Sequence, residues 1–363
     1  MRGDKMYSMT RDVVQMIGSL AAEREPEDRE AIKQILGAAG VCPDIDIDAL
    51  ARRLPRVCGV TLNFHPDRFT TSGRLVIDGL TSDGEYHNQY VTGTSNGGLD
   101  VYMGGARDLW ERRLFNGAYH DGRSDAASRP KYGALNIHNY LDGASARFGS
   151  CFFTLNPRAA GRCTFANEDS HANPAVMGTA EHFYGILRKL FQNVLETGIL
   201  YGEEGYTVRT AAEYICSARR ADPVVIGGNL DFYIETHVHG RVLLREDIES
   251  LHIDGSFIGT DIGNAAVDLS ERYGIKLFFI PERRFPISDI DDEWKGPLAR
   301  PLAERIHKKF GSGGMLNAEL IGRASRDAAI NFNDWSDIGN ETDLFQSFKY
   351  LWHYTARACV PRG

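Results

Sequence analysis

The spacing of apolar residues changes along the chain, and the first section has the period of amphipathic helices. Two apolar faces recur at intervals of three and four residues. The first consists of Val13, Val14, Met16, Ile17 and Leu20, and the second of Ala31, Ile32, Ile35 and Leu36. Asp46 is the expected N-cap of a shorter helix that ends near Arg53, and Pro55 closes the block. We therefore predict an N-terminal helical cap over residues 1–55.

From Val57 onward, β-branched and aromatic runs are separated by glycine-rich loops, a pattern that predicts strands. Early strands are expected at Val57–Phe64, Leu99–Met103 and Phe148–Leu155, with a helix at Arg107–Phe115 among them. A later strand is expected at Lys276–Ile280.

The clearest amphipathic helix runs from Thr179 to Thr197 and is stopped by Gly198, a residue type that commonly ends helices. Its apolar face comprises Phe183, Ile186, Leu187, Leu190, Phe191, Val194 and Leu195. A second helix is expected at Val208–Arg219. Together they predict a helical insertion at about 176–222, long enough to contact a protein substrate.

Shorter helices are expected at Arg245–Leu251, Pro297–Lys309 and Ala318–Ile330. Helices come first, followed by mostly strands with helical excursions, which indicates an α+β fold rather than a βαβ one. No predicted strand is followed by GxGxxG, which argues against a Rossmann dinucleotide site. We place the core at 56–335 and a C-terminal helical tail at 336–363.

The segment Asp231–Gly240 holds Glu235 inside an otherwise apolar strand. Alternation puts Tyr233, Glu235, His237 and His239 on one side of that strand. Burying a carboxylate costs several kcal/mol unless it is paired or needed for function. Glu235 is either a paired structural acid or a catalytic acid that waits in a cleft for a developing positive charge. We favour the cleft.

Composition narrows the class of protein. Of 363 residues, 42% are hydrophobic and 25% are charged, as in ordinary soluble globular proteins. The formal net charge of −8 argues against a general binder of nucleic acid or of anionic membranes. No run approaches the roughly 20 apolar residues of a membrane span, and we expect no cleavable signal peptide in Met1–Met16. The six cysteines form no CxxC pair, so reduced thiols in a cytosolic setting are expected.

Cationic, hydroxyl and aromatic side chains fall at or near the ends of other predicted strands. Arg68 and Arg129 stand where a guanidinium can bind phosphate with two hydrogen bonds. Ser150 belongs to a strand that also carries Phe152 and Phe153. A hydroxyl on a neighbouring strand can hold a carboxylate in place, and an aromatic face can stack on a flat heterocycle.

An arginine, a serine and a glutamate on three separated strands resemble the Arg–Ser–Glu signature of mono-ADP-ribosyltransferases. Over roughly residues 57–330 the chain resembles, more narrowly, the CteC family of bacterial effectors, which transfer ADP-ribose from NAD to a threonine of ubiquitin and so block host ubiquitination. Five segments in order carry this resemblance: His65-Pro-Asp-Arg68, Thr92-Gly-Thr-Ser-Asn-Gly97, Arg129-Pro-Lys-Tyr-Gly-Ala-Leu-Asn136, Arg147-Phe-Gly-Ser-Cys151 and Glu235-Thr-His-Val-His-Gly240. It implies a split, mostly antiparallel β-core of the ADP-ribosyltransferase type.

The resemblance also implies residue roles. Arg68 is implied to hold the phosphate and ribose of NAD, Ser150 to place Glu235, and Glu235 to bond the ribose 2′-hydroxyl as the catalytic acid. Further contacts with NAD are implied for Arg129, Tyr132, Phe152, Phe153, Thr94 and Asn96. Whether Arg68 or Arg129 is the main phosphate ligand stays open.

The implied chemistry agrees with these residue types. Cleavage of the nicotinamide–ribose bond passes through an oxocarbenium-like cation, which a fixed carboxylate stabilises more than it stabilises the neutral ribose. Arginine-modifying members of the superfamily carry Glu or Gln two residues before the catalytic acid, where this chain has Tyr233. Arginine is therefore disfavoured as the acceptor, which leaves a hydroxyl acceptor open. His237 could take the acceptor's proton, although an ordinary core histidine is the favoured interpretation.

Two other hypotheses compete with the transferase. Glu235, His237 and His239 share one strand face and could bind a metal ion such as Zn²⁺ or Fe²⁺. A catalytically inactive binding module is the third hypothesis, against which the intact Arg68, Ser150 and Glu235 set argues. The favoured hypothesis implies NAD as co-substrate with no metal, ubiquitin as protein substrate and a monomer. It further implies delivery without a cleavable signal and action in a host cytosol.

Overall fold

The N-terminal region is helical, as the apolar periodicity predicts. A computed structural model of the protein describes residues 2–41, 45–94, 101–122, 124–217, 230–311 and 313–358. Helix α1 spans Arg2–Ala38 and α2 spans Ile47–Val57. Asp46 is the N-cap of α2, since its side chain accepts a hydrogen bond from the Ala49 amide at 2.9 Å. Pro55 lies inside the last turn of α2 rather than beyond it.

Within the described residues, eight strands form one mixed, mostly antiparallel sheet with the order β5-β4-β6-β2-β1-β3-β7-β8. Among the described strand pairs, only β7 with β8 is parallel. The strands are β1 (Gly59–Phe64), β2 (Lys131–Asn136), β3 (Cys151–Leu155), β4 (Cys163–Ala166), β5 (Met177–Thr179), β6 (Ile234–Val238), β7 (Ile248–Asp254) and β8 (Lys276–Ile280). Two further strands, β9 (Arg284–Pro286) and β10 (Met315–Asn317), pair separately. The predicted α+β class is confirmed.

Strand β6 lies between β4 and β2 and is buried on both faces. Ile234 and Val238 point into the main apolar core, while Glu235 and His237 belong to the opposite face. The alternation expected from the sequence therefore holds. Because β6 is central, the carboxylate of Glu235 is held on a rigid support.

The helices after the N-terminal pair cover the sheet and build a second core. They are α3 (Val76–Asp83), α4 (Gln89–Thr92), α5 (Ala106–Leu114), α6 (Tyr184–Thr197), α7 (Val208–Ser217), α8 (Leu244–Asp247), α9 (Asp261–Tyr273), α10 (Ala299–Phe310), α11 (Ala318–Ile330) and α12 (Glu341–Arg357). Helix α6 packs on α1 and ends at Gly198. Gly198 adopts φ 70°, a left-handed conformation that glycine tolerates at little cost.

Helix α12 packs firmly against the rest of the protein. Leu351 and Trp352 are buried, the former in a second apolar core that α12 forms with α10 and α11. The indole of Trp352 donates a hydrogen bond to the carbonyl of Ala146 at 2.9 Å. This bond ties α12 to the turn before β3, beside the cleft described below.

Several predicted boundaries are wrong. The predicted helix Arg245–Leu251 gives way to β7 at Ile248, because the alternating apolar residues Leu251 and Ile253 are buried between β3 and β8. The predicted strand from Phe148 begins at Cys151, since residues 146–148 form a 3₁₀ turn. Residues 101–103 are not a strand, and 99–100 lie outside the described residues. Strand β5 lies within the predicted helical insertion. Among the described helices, none combines the length and apolar character needed to cross a membrane.

Candidate active site

A cleft of about 610 Å³ is bounded by the β1–α3 loop, α4, α5, β2, the loop after β4, β6 and α12. Of the nine candidate catalytic and NAD-contact residues named from the sequence, four line this cleft: Arg68, Thr94, Tyr132 and Glu235. Other charged or aromatic lining residues include Arg107, Trp110, Arg147, Phe148, Tyr233 and Lys349. Its volume is within the range of small-molecule sites.

Glu235 is held at the cleft wall by hydrogen bonds to one of its two carboxylate oxygens. Oε1 accepts from the amide of Ser170 at 3.2 Å and from the Ser170 hydroxyl, and Nε2 of His237 lies 2.7 Å away. Oε2 accepts no hydrogen bond from any residue that the structure describes. Glu235 is 5% exposed and lines the cleft. One oxygen therefore fixes the carboxylate, and the other is left for a ligand.

Behind Glu235, a chain of hydrogen bonds runs through the sheet to Tyr119, in the loop after α5. Nδ1 of His237 lies 3.1 Å from the hydroxyl of Thr164, which lies 2.9 Å from Nε2 of His239. Nδ1 of His239 lies 2.5 Å from the hydroxyl of Tyr119. All four of these residues are buried. The register that pairs Thr164 with His237 across β4 and β6 brings the hydroxyl to the imidazole.

One arrangement of protons satisfies the whole chain with an ionised Glu235 and two neutral imidazoles. Tyr119 donates to His239, and His239 donates to Thr164. Thr164 then donates to His237, and His237 donates to Glu235. Burial, followed by the neighbouring His237, lowers the pKa of His239 well below its usual value, which keeps that imidazole neutral. This chain of hydrogen bonds thus orients the carboxylate of Glu235.

The geometry does not favour a metal ion at Glu235, His237 and His239. Both nitrogens of each imidazole lie within hydrogen-bond distance of a hydroxyl or carboxylate oxygen. Within the described residues, no group of three or more His, Cys, Asp or Glu side chains has an arrangement that could hold a metal. His237 is fully buried and bonded to Glu235, which favours an orienting role over transfer of the acceptor's proton.

Ser150, Phe152 and Phe153 lie away from the cleft. Ser150 is buried, with its hydroxyl 3.7 Å from the sulfur of Cys151. Phe153 stacks in the main core, and Phe152 stacks on His252 with ring centroids 4.2 Å apart. Strand β3 is three strands away from β6, a separation of about 14 Å at the usual strand spacing. In this structure the hydroxyl that holds the carboxylate belongs to Ser170.

Arg129 is buried behind the cleft wall and does not line the cleft. Its guanidinium pairs with Asp108 at 2.5 Å and with Glu111 at 2.9 Å. The hydroxyl of Tyr132 donates to Glu111 at 2.9 Å. Arg129 therefore links α5 to the segment before β2, and its partner Glu111 also holds Tyr132, which does line the cleft. Thr94 lines it as well, whereas Asn96 lies outside the described residues.

Arg68 lines the cleft just after β1 and is half-buried. Burial lowers its pKa to about 10, against the opposing charge of Asp67. Asp67 is itself buried, and one of its oxygens is 3.8 Å from Arg326 of α11. Burial raises the pKa of Asp67 to about 6, although Arg326 and Arg68 oppose that shift. The loop after β1 that carries Asp67 and Arg68 is thus linked to α11 of the second core.

Sequence reasoning missed Ser170, Thr164 and Tyr119. Ser170 follows Asp169, whose carboxylate accepts from the amide of His171 at 2.7 Å and so turns the chain toward β6. The run Glu168-Asp169-Ser170-His171 is a local turn signal in the sequence. It does not indicate the partner of the serine, because that partner is 65 residues away.

A family model described as "Protein of unknown function (DUF3626)" matches residues 59–357, which include every described residue of the cleft. No curated protein matches the sequence.

Proposed function

The chain belongs to the DUF3626 family, and we propose that it is an NAD-dependent mono-ADP-ribosyltransferase that modifies a protein hydroxyl. The observation that carries the proposal is Glu235, a carboxylate fixed through one oxygen at the wall of a cleft whose lining includes cations. We further propose that the mostly antiparallel sheet is a split core of the ADP-ribosyltransferase type.

The cleft residues fit the chemical parts of NAD. Arg68 and its neighbouring cations match the negative charge of a diphosphate. Tyr132, Tyr233 and Phe148 supply aromatic surface for a flat ring, and the ring of Phe148 meets that of Tyr233 edge to face at 5.9 Å. Oε2 of Glu235 is the acceptor left for a ribose hydroxyl.

The proposed reaction breaks the bond between the ribose C1′ carbon and the nicotinamide nitrogen, whose electron pair leaves with the nicotinamide. Positive charge develops at C1′, and the ionised Glu235 stabilises it. The acceptor oxygen then bonds to C1′ and loses its proton to a base. Because nicotinamide leaves as a neutral molecule, it needs no acid, and one carboxylate is sufficient for this step.

Ser170 and His237 supply preorganisation. A carboxylate that is already bonded on one oxygen does not have to reorganise as the cation forms. Ser170 therefore takes the orienting role that the resemblance assigned to Ser150.

The acceptor that we propose is a threonine of ubiquitin, so that modification would block ubiquitination in a host cytosol. This part rests on the resemblance to CteC-family effectors and on Tyr233, which occupies the place of the acceptor-selecting Glu or Gln. The ring of Tyr233 lines the cleft, and its hydroxyl donates to Asp169 at 2.6 Å. We propose that the protein acts as a monomer.

Incubation with NAD and ubiquitin, followed by intact-mass analysis, tests the proposal. We expect ubiquitin to gain the mass of one ADP-ribose with the wild type and no mass with Glu235→Ala. Ser170→Ala should slow the modification, whereas Ser150→Ala should retain it. Ubiquitin that stays unmodified rejects the acceptor. If NAD also stays intact, the transferase itself is rejected.

A further inference from the structure

Helix α12 from the second core contributes a cation to the cleft. Lys349 lines the cleft although it lies far along the chain from two other lining cations, Arg68 and Arg147. Lys349 forms no hydrogen bond or ion pair with any residue in the described part of the chain. The position of this lysine at the cleft wall requires an explanation.

One face of α12 meets the cleft. Phe345, Lys349 and Trp352 are spaced by four and three residues and so share a face. The guanidinium of Arg68 lies 5.7 Å from the ring centroid of Phe345. The hydrogen bond from Trp352 to Ala146 holds the next residue, Arg147, near α12. Three cations from three separate parts of the chain therefore meet at one end of the cleft.

Like charges lie close to one another at this end of the cleft. Burial and, after it, the charges of Arg147, Lys295 and Arg68 lower the pKa of Lys349 to about 8, against a weaker effect of Asp169. Arg147 pairs with Asp231, whose side chain is 61% exposed. Cations that repel one another in a partly buried place lower the stability of the free protein.

We propose that Arg68, Arg147 and Lys349 form a subsite for a diphosphate group, in which α12 supplies the third cation. Diphosphate carries several negative charges and many acceptor oxygens, so it can bond two guanidinium groups and one ammonium group at once. The inference rests on the proposed function where it names NAD as the source of the diphosphate. The subsite itself rests on the three cations alone.

Titration calorimetry with inorganic pyrophosphate, at neutral pH and low salt, tests the subsite on the full chain. We expect the wild type to bind and Lys349→Met to bind about tenfold more weakly, the usual effect of losing one charge-assisted contact. Lys308→Met is the matched control, because Lys308 is an exposed lysine on α10, a helix that packs in the same second core. It should bind like the wild type.

Lys349→Arg retains the charge and should retain binding, so it serves as the check should Lys349→Met unfold. The subsite is rejected if the wild type fails to bind pyrophosphate, or if Lys349→Met and Lys308→Met bind equally. Pyrophosphate binding without any consumption of NAD would support the subsite while rejecting the transferase. If Lys349→Met consumes NAD at the wild-type rate and binds pyrophosphate as tightly as the wild type, the transferase is supported and the subsite is rejected.

Discussion

The amide and the hydroxyl of Ser170 both donate to the same oxygen of Glu235. That oxygen also accepts a hydrogen bond from His237. The carboxylate is therefore held through one oxygen only and presents Oε2 to the cleft. The turn at Ser170 is thus part of the catalytic arrangement that we propose, and it makes a direct prediction.

Ser170→Ala should slow the cleavage of NAD about tenfold, because the carboxylate loses one charge-assisted hydrogen bond worth about 1.4 kcal/mol in the transition state. Initial rates of nicotinamide release measure this effect. Ser150→Ala is the control, since Ser150 is equally buried but lies outside the cleft. Equal rates for the two variants would contradict the role of Ser170.

Thr164→Val should break the hydrogen-bond chain behind Glu235 while keeping the shape of the side chain. Nδ1 of His237 and Nε2 of His239 would both lose their partner. We expect the free energy of unfolding to fall by about 2–3 kcal/mol. Urea denaturation followed by circular dichroism provides the measurement.

Thr236→Val is a matched control for that variant, on the adjoining strand. Thr236 is also fully buried, but its hydroxyl has no hydrogen-bond partner within the described structure. Its replacement should leave stability unchanged or raise it. A stability loss as large as that of Thr164→Val would show that shape alone, and not the chain, explains the effect.

Gly322→Ala should separate α11 from the loop after β1 that carries Asp67 and Arg68. A Cβ at Gly322 would lie 1.4 Å from an oxygen of Asp67, so the buried Asp67 carboxylate or one of the two elements has to move. We expect a loss of about 2–3 kcal/mol in unfolding free energy, together with slower NAD cleavage because Arg68 follows Asp67. Gly37→Ala, which meets no atom within 4 Å, should instead leave stability unchanged or raise it by up to about 1 kcal/mol.

The pH dependence of stability should contain a contribution from Asp67. Its folded pKa of about 6 exceeds its usual 3.8, so between those values the folded protein keeps a proton that the unfolded chain has released. Stability is therefore lost as the pH rises through this window, by up to about 3 kcal/mol. Between pH 4 and pH 7, the free energy of unfolding of Asp67→Asn should rise relative to that of the wild type by the same amount. Parallel pH profiles from urea unfolding would contradict the buried acid.

Local sequence signals were sufficient for much of the fold. Lys276–Ile280 and Ala318–Ile330 were predicted with the bounds that β8 and α11 have, because both are short apolar-patterned runs with clear ends. Glu235 was predicted to line a cleft from one local oddity, a carboxylate in an apolar strand, and it does line one.

The partners of Glu235 could not be predicted, because they depend on strand register. Thr164 meets His237 only because β4 pairs with β6 across 73 residues of sequence. The resemblance pointed to Ser150 by its motif, yet the strand order places Ser150 three strands from Glu235. Sequence spacing carries no information on which of two serines lies beside the carboxylate.

We propose that the fixed carboxylate of Glu235 drives the cleavage of the nicotinamide–ribose bond. The most direct test is the rate of nicotinamide release from NAD by wild type and Glu235→Gln, which keeps the size of the side chain and removes its charge. We predict a rate about 10²–10³-fold lower for the variant, with NAD affinity retained. Release of nicotinamide at the same rate by both proteins would contradict the claim.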